Sequence, residues 1–305
     1  MGVYVNTNVS SLNGRRYLNN VQNQLTTTYQ RLSSGLRINS AKDDAAGLQI
    51  SSRLTTQVNG LNQGNRNAAD GIALAQTIEG AMDETTSMLQ KIRTLAVQAA
   101  NGTNTGEDKA ALSKEATALV QEIDRIAAQT RFGGALILDG GKDTGLLQGG
   151  KESAGQLTLQ VGANKGDTIT FDVGNAHFTR IANATGKFGG GGNNKIDIAK
   201  FYDNKAIVFS KADAAQNAIQ AMDYLIAQVD AERAGLGAIQ NRLESSIRNQ
   251  ANVSANQADA RSRIRDADFA EESANLSQQS IIQQAATSML MQANTRPQLG
   301  LSLLG

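Results

Sequence analysis

Apolar side chains recur along most of this chain at alternating steps of three and four residues. Leu18, Val21, Leu25, Thr28 and Leu32 form a first stripe. A longer one runs through Leu54, Gln57, Leu61, Gly64, Ala68, Gly71, Ala75, Ile78, Met82, Thr85, Leu89, Ile92, Ala96 and Ala99. A third joins Leu112, Ala116, Leu119, Ile123 and Ile126. A fourth joins Ala215, Ile219, Met222, Ile226, Val229, Arg233, Leu236, Gln240, Leu243 and Ile247. This alternation draws one narrow stripe along a helix, the geometry of a coiled-coil seam. The pattern predicts a mainly α chain of long, coiled-coil-like helices packed side by side. Many stripe positions are Ala, Gly, Thr or Gln, so the helices can approach closely and their register is loosely specified. Sliding between near-equal registers, with Gly64, Ala68 and Gly71 as the permissive positions, is the expected consequence.

The middle of the chain reads differently. From Gln156 to Val173, "QLTLQVGANKGDTITFDV" alternates apolar and polar residues around "GANKGD", which predicts a β-hairpin with a glycine-bearing turn. "GKFGGGGNN", Gly186 to Asn194, reads as a flexible surface loop or linker, and helical sequence resumes near Asp213.

The two ends share an unusual polarity. Residues 1–42 hold no acidic side chain and five basic ones, Arg15, Arg16, Arg31, Arg37 and Lys42, while residues 273–305 hold one charge, Arg296. A solvated helix carries many charges on its outer face, so these segments read as helices that expect neighbours on several sides. Ordering about 40 residues costs on the order of 40–80 kcal/mol of backbone entropy. The few apolar side chains present, each worth about 1.5–3 kcal/mol when buried, do not offset that in isolation. Both ends are therefore expected to be disordered in a free monomer and to fold on assembly. Between the end stripe and the next helix lies "RLSSGLRINSAKDDAAGLQI", Arg31 to Ile50. Gly35 is placed to end the first helix and Ser40 with Asp43 to start the second as a capping box.

Composition narrows the chemistry. There is no cysteine, which excludes disulfides and thiolate ligands, and one histidine, His177, in "NAHFTR". No HExxH surrounds it, so it reads as a surface histidine near a strand end. Gly35 is followed by "LRINSAK" rather than by a phosphate-loop GK[ST], and the glycine-rich middle lacks the strand–turn–helix context of a dinucleotide site. The carboxylate pairs Asp43/Asp44, Asp266/Asp268 and Glu271/Glu272 read as helix first turns. "RSRIRD", Arg261 to Asp266, reads as a helix-face ion-pair network rather than a nucleic-acid patch. No catalytic, cofactor or metal set emerges, so the chain reads as a non-enzyme. A net charge of +1 gives no field to draw nucleic acid or an anionic membrane. No apolar run approaches the roughly 18–20 residues of a membrane-spanning helix, and the start, "MGVYVNTNVSSLNGRR", has no leader-like apolar region.

Several motifs, taken together and in order, carry a resemblance. "VNTNVSSLNGRRYLNN", "RLSSGLRINSAKDDAAGLQIS", "NAADGIALAQTIEGAM", "LQKIRTLAVQAANGTN" and "EIDRIAAQTRFGG" are followed late in the chain by "LGAIQNRLESSI", "ARSRIRDADFAEES" and "QQAATSMLMQANTRPQLGLSLL". Over roughly the first 140 and last 95 residues this series resembles bacterial flagellin, the filament subunit of the flagellum. The resemblance implies an inner coiled-coil layer from residues 1–44 plus 266–305. It implies a helical layer from 45–174 plus 211–265, with the hairpin near 156–173, and a short variable outer segment at 175–210. Arg31, Gly35, Arg37, Asp43 and Asp44 would form a spoke between the layers. It further implies self-polymerisation into an extracellular filament that transmits motor torque, with export through the flagellar type III apparatus and without a cleaved leader. The implied partners are other subunits, cap and junction proteins, an export chaperone and host innate receptors. Lys91, Leu95 and Glu115 match the family's receptor-recognised surface, although the family most often has arginine at the Lys91 position. Leu301, Leu303 and Leu304 match its C-terminal assembly and inflammasome-recognition tail. A hook–filament junction protein, built on similar terminal helices, is the alternative.

Overall fold

In a computed structural model the structure describes residues 7–139, 146–147, 155–181, 201–203, 206–210 and 213–302, with the backbone alone over 296–302. The elements in chain order are α1 (Val9–Ser34), α2 (Ala45–Ala100), α3 (Gly106–Gln129), β1 (Arg131–Phe132), β2 (Ala135–Leu136), β3 (Gly155–Gln160), β4 (Thr168–Val173), β5 (Tyr202–Asp203), β6 (Ala206–Ile207), α4 (Ala214–Arg265) and α5 (Phe269–Ser302). Each strand pair is an antiparallel hairpin of neighbours in sequence. Two compact units result: Met1–Asn59 with Val253–Gly305, and Gly60–Asn252.

In the larger unit α2 and α4 run antiparallel, since Arg93 pairs with Asp223, Asp83 with Arg233 at 3.0 Å, and Glu79 with Gln240 at 2.9 Å. The helical stripes predict what faces inward. Every α2 stripe position from Leu61 to Ala99 is buried. Leu74, Thr86 and Leu95 are buried beside them, so α2 presents a broader face than a simple seam. On α4 the stripe resolves into a seven-residue beat, with Ala215, Met222, Val229, Leu236 and Leu243 buried and the positions between them half-buried. On α3 the buried set is Ala116, Val120, Ile123 and Ala127, so the inward face lies one position on from the expected stripe at Leu119 and Ile126. A capping box starts α3: Asp108 N–H donates to Thr105 Oγ1 at 3.2 Å and Thr105 N–H to Asp108 Oδ2 at 2.9 Å. These hydrogen bonds hold the Asp108 carboxyl below the usual carboxylate range.

The predicted hairpin is present, with Leu157 opposite Phe171 and Leu159 opposite Ile169. Its apolar face closes a satellite cluster of Ala68, Val161 and Leu243. Close approach explains Gly60, Gly64 and Gly71 of α2, whose nearest neighbours lie on the hairpin, with Gln250 and Leu243 of α4 next to Gly64 and Gly71. A Cβ on Gly64 would stand 2.1 Å from the Val161 carbonyl oxygen. Gly60 and Gly71 similarly face Ala163 and Leu159. This ledge of small residues seats the hairpin.

Both described ends of the 175–210 segment are built into the core. Phe178, Phe201, Ile207 and Phe209 are each about 1% exposed. Ile207 N–H donates to Thr117 Oγ1 and Phe209 N–H to Ser113 Oγ, both at 3.0 Å, so α3 side chains hold this stretch. The expected loop at 186–194 lies outside the described residues.

His177 is a clamp rather than a surface side chain. Its Nδ1 meets Asp124 Oδ1 at 3.2 Å and its Nε2 meets Asp139 Oδ1 at 2.9 Å. Only the doubly protonated ring donates to both carboxylates. The Asp124 hydrogen bond, against partial desolvation and aided by Asp139, pushes the His177 pKa up from its ordinary 6.5. A raised folded-state pKa gives stability that is fully present below about pH 6.5 and lost as pH rises through the folded value. The wild type's resistance to urea is therefore expected to fall as pH rises above about 6.5, and a His177→Gln variant to lose that slope. Equal slopes in the two proteins would refute the clamp.

Candidate assembly surface

In the smaller unit α1 and α5 lie antiparallel. Asn8 Nδ2 donates to the Ala293 carbonyl at 2.7 Å, Thr28 Oγ1 to Gln279 Oε1 at 3.2 Å, and Arg31 Nη1 to Glu272 Oε1 at 3.1 Å. The first stripe forms the contact: Val21 and Thr28 are buried, and Leu18, Leu25 and Leu32 are half-buried. On α5 the matching positions are Glu272, Leu276, Gln279, Gln283, Ala286, Leu290 and Ala293, again stepping four and three. Glu272 is 7% exposed and its partner Arg31 a third exposed, so among the described residues of the unit this ion pair is the most enclosed.

The outward side of the pair is apolar as well. Tyr17 is 70% exposed, Val9 56%, Ile281 67%, Met289 70% and Met291 60%. A groove of about 820 Å³ between the helices is lined by Gly14, Tyr17, Val21, Ile282 and Met289 among others. Singly exposed apolar residues need no explanation, but a run of them on a helix pair nearly free of charge marks an interaction surface.

The joint beside this pair is held by backbone. Gly35 caps α1 with φ 69°, in the left-handed region that only glycine adopts freely. Its carbonyl accepts from Ala267 N–H at 3.0 Å, while Arg37 N–H donates to the Arg265 carbonyl at 2.7 Å. Arg37 Nη2 also reaches the Ile264 carbonyl at 2.7 Å. The expected Ser40 cap takes another form. Asp43 Oδ2 accepts from the N–H groups of Asn39 and Ser40 and from the Ser40 hydroxyl, closing a turn ahead of the helix. Those bonds, led by Ser40, hold the Asp43 carboxyl below its usual range. The residue that caps α2 is Asp44, whose Oδ1 accepts from Gly47 N–H at 2.9 Å. Asp268 caps α5 in the same manner, accepting from Ala270 N–H at 2.8 Å. Thus Arg31, Gly35, Arg37, Asp43 and Asp44 gather at one joint, with their partners inside the chain.

The other sequence-derived sites are placed less uniformly. Lys91 and Glu115 form an exposed ion pair at 3.4 Å, whereas Leu95 is 7% exposed and belongs to the main core. Leu301 continues the backbone of α5, and Leu303 and Leu304 lie outside the described residues. Arg263 pairs with Asp259 at 2.9 Å within α4, and Arg261 contacts Thr55 Oγ1 at 3.4 Å. Among the described residues no group of three His, Cys, Asp or Glu is placed to hold a metal ion, and no helix is long and apolar enough to cross a membrane.

Residues 5–143 match the model of the bacterial flagellin N-terminal helical region, and residues 219–304 that of the C-terminal helical region. Flagellin A of Vibrio anguillarum is 39% identical, with 100% of both chains covered. The chain belongs to the bacterial flagellin family. Polar flagellin C of Vibrio parahaemolyticus is 36% identical, again over 100% of each chain. Among solved structures, one described as a flagellar hook-associated protein from Vibrio parahaemolyticus superposes with TM-score 0.56 at 20% identity, covering 73% of this chain and 100% of that one. At that identity the likeness shows a shared fold. Flagellin relatives that run the full length of this chain make it a structural subunit of the flagellar filament rather than a hook-associated protein.

Proposed function

We propose that this chain self-polymerises into the extracellular flagellar filament by burying the outward face of the α1–α5 pair against copies of itself, and that the resulting lattice transmits motor torque for swimming. The observation that carries this is the exposure of Tyr17, Val9, Ile281, Met289 and Met291 around a helix pair with scarcely any charge. In a helical polymer that pair forms the inner layer, residues 1–44 plus 266–305. Residues 45–174 plus 211–265 form the helical layer around it, and the described ends of the 175–210 segment pack into the core of that layer. The joint at Gly35, Arg37, Asp43 and Asp44, with the Arg31–Glu272 pair, is the spoke between them. It is closed by hydrogen bonds within the subunit, so it transmits load without relying on a neighbour's side chains.

On this reading the subunit travels through the flagellar type III export apparatus with a chaperone and assembles beneath cap and junction proteins. The Leu301, Leu303 and Leu304 tail serves filament assembly and is a surface for host innate receptors. At the other receptor-like surface, the Lys91–Glu115 pair is exposed while Leu95 is enclosed, so Leu95 acts by shaping the helix face. Seeding purified protein with filament fragments is expected to give long tubes by electron microscopy, with amides of residues 9–34 exchanging fast in monomer and slowly in tubes. Persistent monomers, or tubes in which those amides stay fast, would refute the reading.

A further inference from the structure

The sequence contains Asn–Gly three times, at Asn13–Gly14, Asn59–Gly60 and Asn101–Gly102. This dipeptide is open to a reaction of its own, because glycine leaves the backbone nitrogen unshielded beside the asparagine amide. Whether it reacts depends on the backbone. Asn13–Gly14 lies inside α1 and Asn59–Gly60 inside α2, where helical hydrogen bonding ties up each glycine N–H. Both glycines are also crowded: an added Cβ would meet Leu290 at 3.2 Å in the first case and Ala163 at 2.7 Å in the second. Asn101–Gly102 stands in the turn between α2 and α3, with both residues exposed. Asn101 N–H donates to the Gln98 carbonyl at 3.2 Å and the Asn101 carbonyl accepts from Asn104 N–H at 3.3 Å. Gly102 N–H has no hydrogen-bond acceptor among the described residues, and no atom lies within 4 Å of its added Cβ.

We propose that Asn101 is a site of spontaneous deamidation in the folded protein. The Gly102 nitrogen attacks Asn101 Cγ and gives up its proton to solvent. The Cγ–Nδ2 bond breaks, and Nδ2 leaves as ammonia with a proton taken from solvent. The five-membered imide that remains is opened by one water at either carbonyl, giving aspartate or isoaspartate. The net change is one amide and one water converted to one carboxylic acid and one ammonia, with no oxidant or enzyme. The new carboxylate sits directly after the C-terminus of α2, where a helix end disfavours negative charge and no basic residue stands in the last turn to offset it. The isoaspartate product also lengthens the backbone of the turn by one methylene. Modification therefore loosens the α2–α3 connection while leaving the start of α3 capped by Thr105.

The test is peptide mass spectrometry of the native full-length protein after incubation at mildly alkaline pH, beside protein held in urea. In native protein the peptide carrying Asn101 is expected to gain about 1 Da with release of ammonia, while those carrying Asn13 and Asn59 stay unchanged. In urea all three convert, which shows that the fold sets the difference. Fragment ions separate Asn101 from Asn104 in the same peptide. Gly102→Ala has room for its methyl group and is expected to slow the native reaction about tenfold by shielding the nitrogen. Native Asn101 converting no faster than Asn13 and Asn59 would overturn the proposal. So would a sugar on Asn101, within its Asn–Gly–Thr sequence, because the amide would then already be occupied.

Discussion

Gly64→Ala is expected to destabilise the larger unit by about 2 kcal/mol, although alanine is the better helix former. In an open helix position the change from glycine to alanine gains up to about 1 kcal/mol. At Gly64 the new methyl would stand 2.1 Å from the Val161 carbonyl oxygen, a backbone atom that moves only if the hairpin moves. Forced overpacking of this kind costs about 1–3 kcal/mol, and displacing a backbone lies at the upper end or beyond. Gly80 supplies the control, since it sits in the same helix with nothing within 4 Å of its added Cβ. Urea titration followed by circular dichroism should show Gly80→Ala raising the midpoint and Gly64→Ala lowering it. Two variants of equal stability would remove the hairpin seat from the explanation. Filaments of altered shape after leucine replaces Gly64, Ala68 and Gly71 would then point back to helix sliding.

Removing Glu272 should have the second large effect, in the smaller unit. Glu272→Ala would leave the Arg31 guanidinium partly enclosed, with an Nε that already lacks a partner. Breaking a buried pair on one side costs about 3–5 kcal/mol. Arg31 is a third exposed, and solvent screening reduces the figure to about 2–3 kcal/mol. If α1–α5 pairing is required for polymerisation, the loss raises the critical concentration by about thirtyfold or more. The double variant Arg31→Leu, Glu272→Leu is expected to regain most of the stability, because apolar side chains can replace an enclosed pair without desolvating charge. A double variant as impaired as Glu272→Ala would show that the ion pair itself, rather than the avoidance of an orphaned charge, holds the helices.

Legibility in the sequence followed the physical range of each interaction. The α2 and α4 stripes were readable because burial along a helix repeats every three and four residues, whatever the partner. Leu61 to Ala99 are buried at each stripe position for that reason. On α3 the same reasoning missed by one residue, since a 24-residue helix offers few repeats and its half-buried Leu119 and Ile126 look as apolar as Val120 and Ala127. The joint was half legible: Gly35 caps α1 as its position suggests, but the local Ser40–Asp43 pattern served a turn and Asp44 took the cap. His177 gave no signal, because its two aspartates lie 53 and 38 residues away.

The sequence by itself determined the helical class, the hairpin, the charge-poor ends and, through the ordered motifs, the flagellin family. Each of these is a property of spacing or local composition, which the linear chain records directly. Only the tertiary structure decided what the small residues are for. Gly64 and Gly71 read in sequence as places where helices approach, and the atoms nearest them belong to a hairpin about 90 residues further along. Tertiary structure also decided that Glu272 is an enclosed partner of Arg31 and His177 a clamp between two carboxylates. A side chain's partner across the fold depends on how helices are brought together in space, and no short stretch of sequence records that.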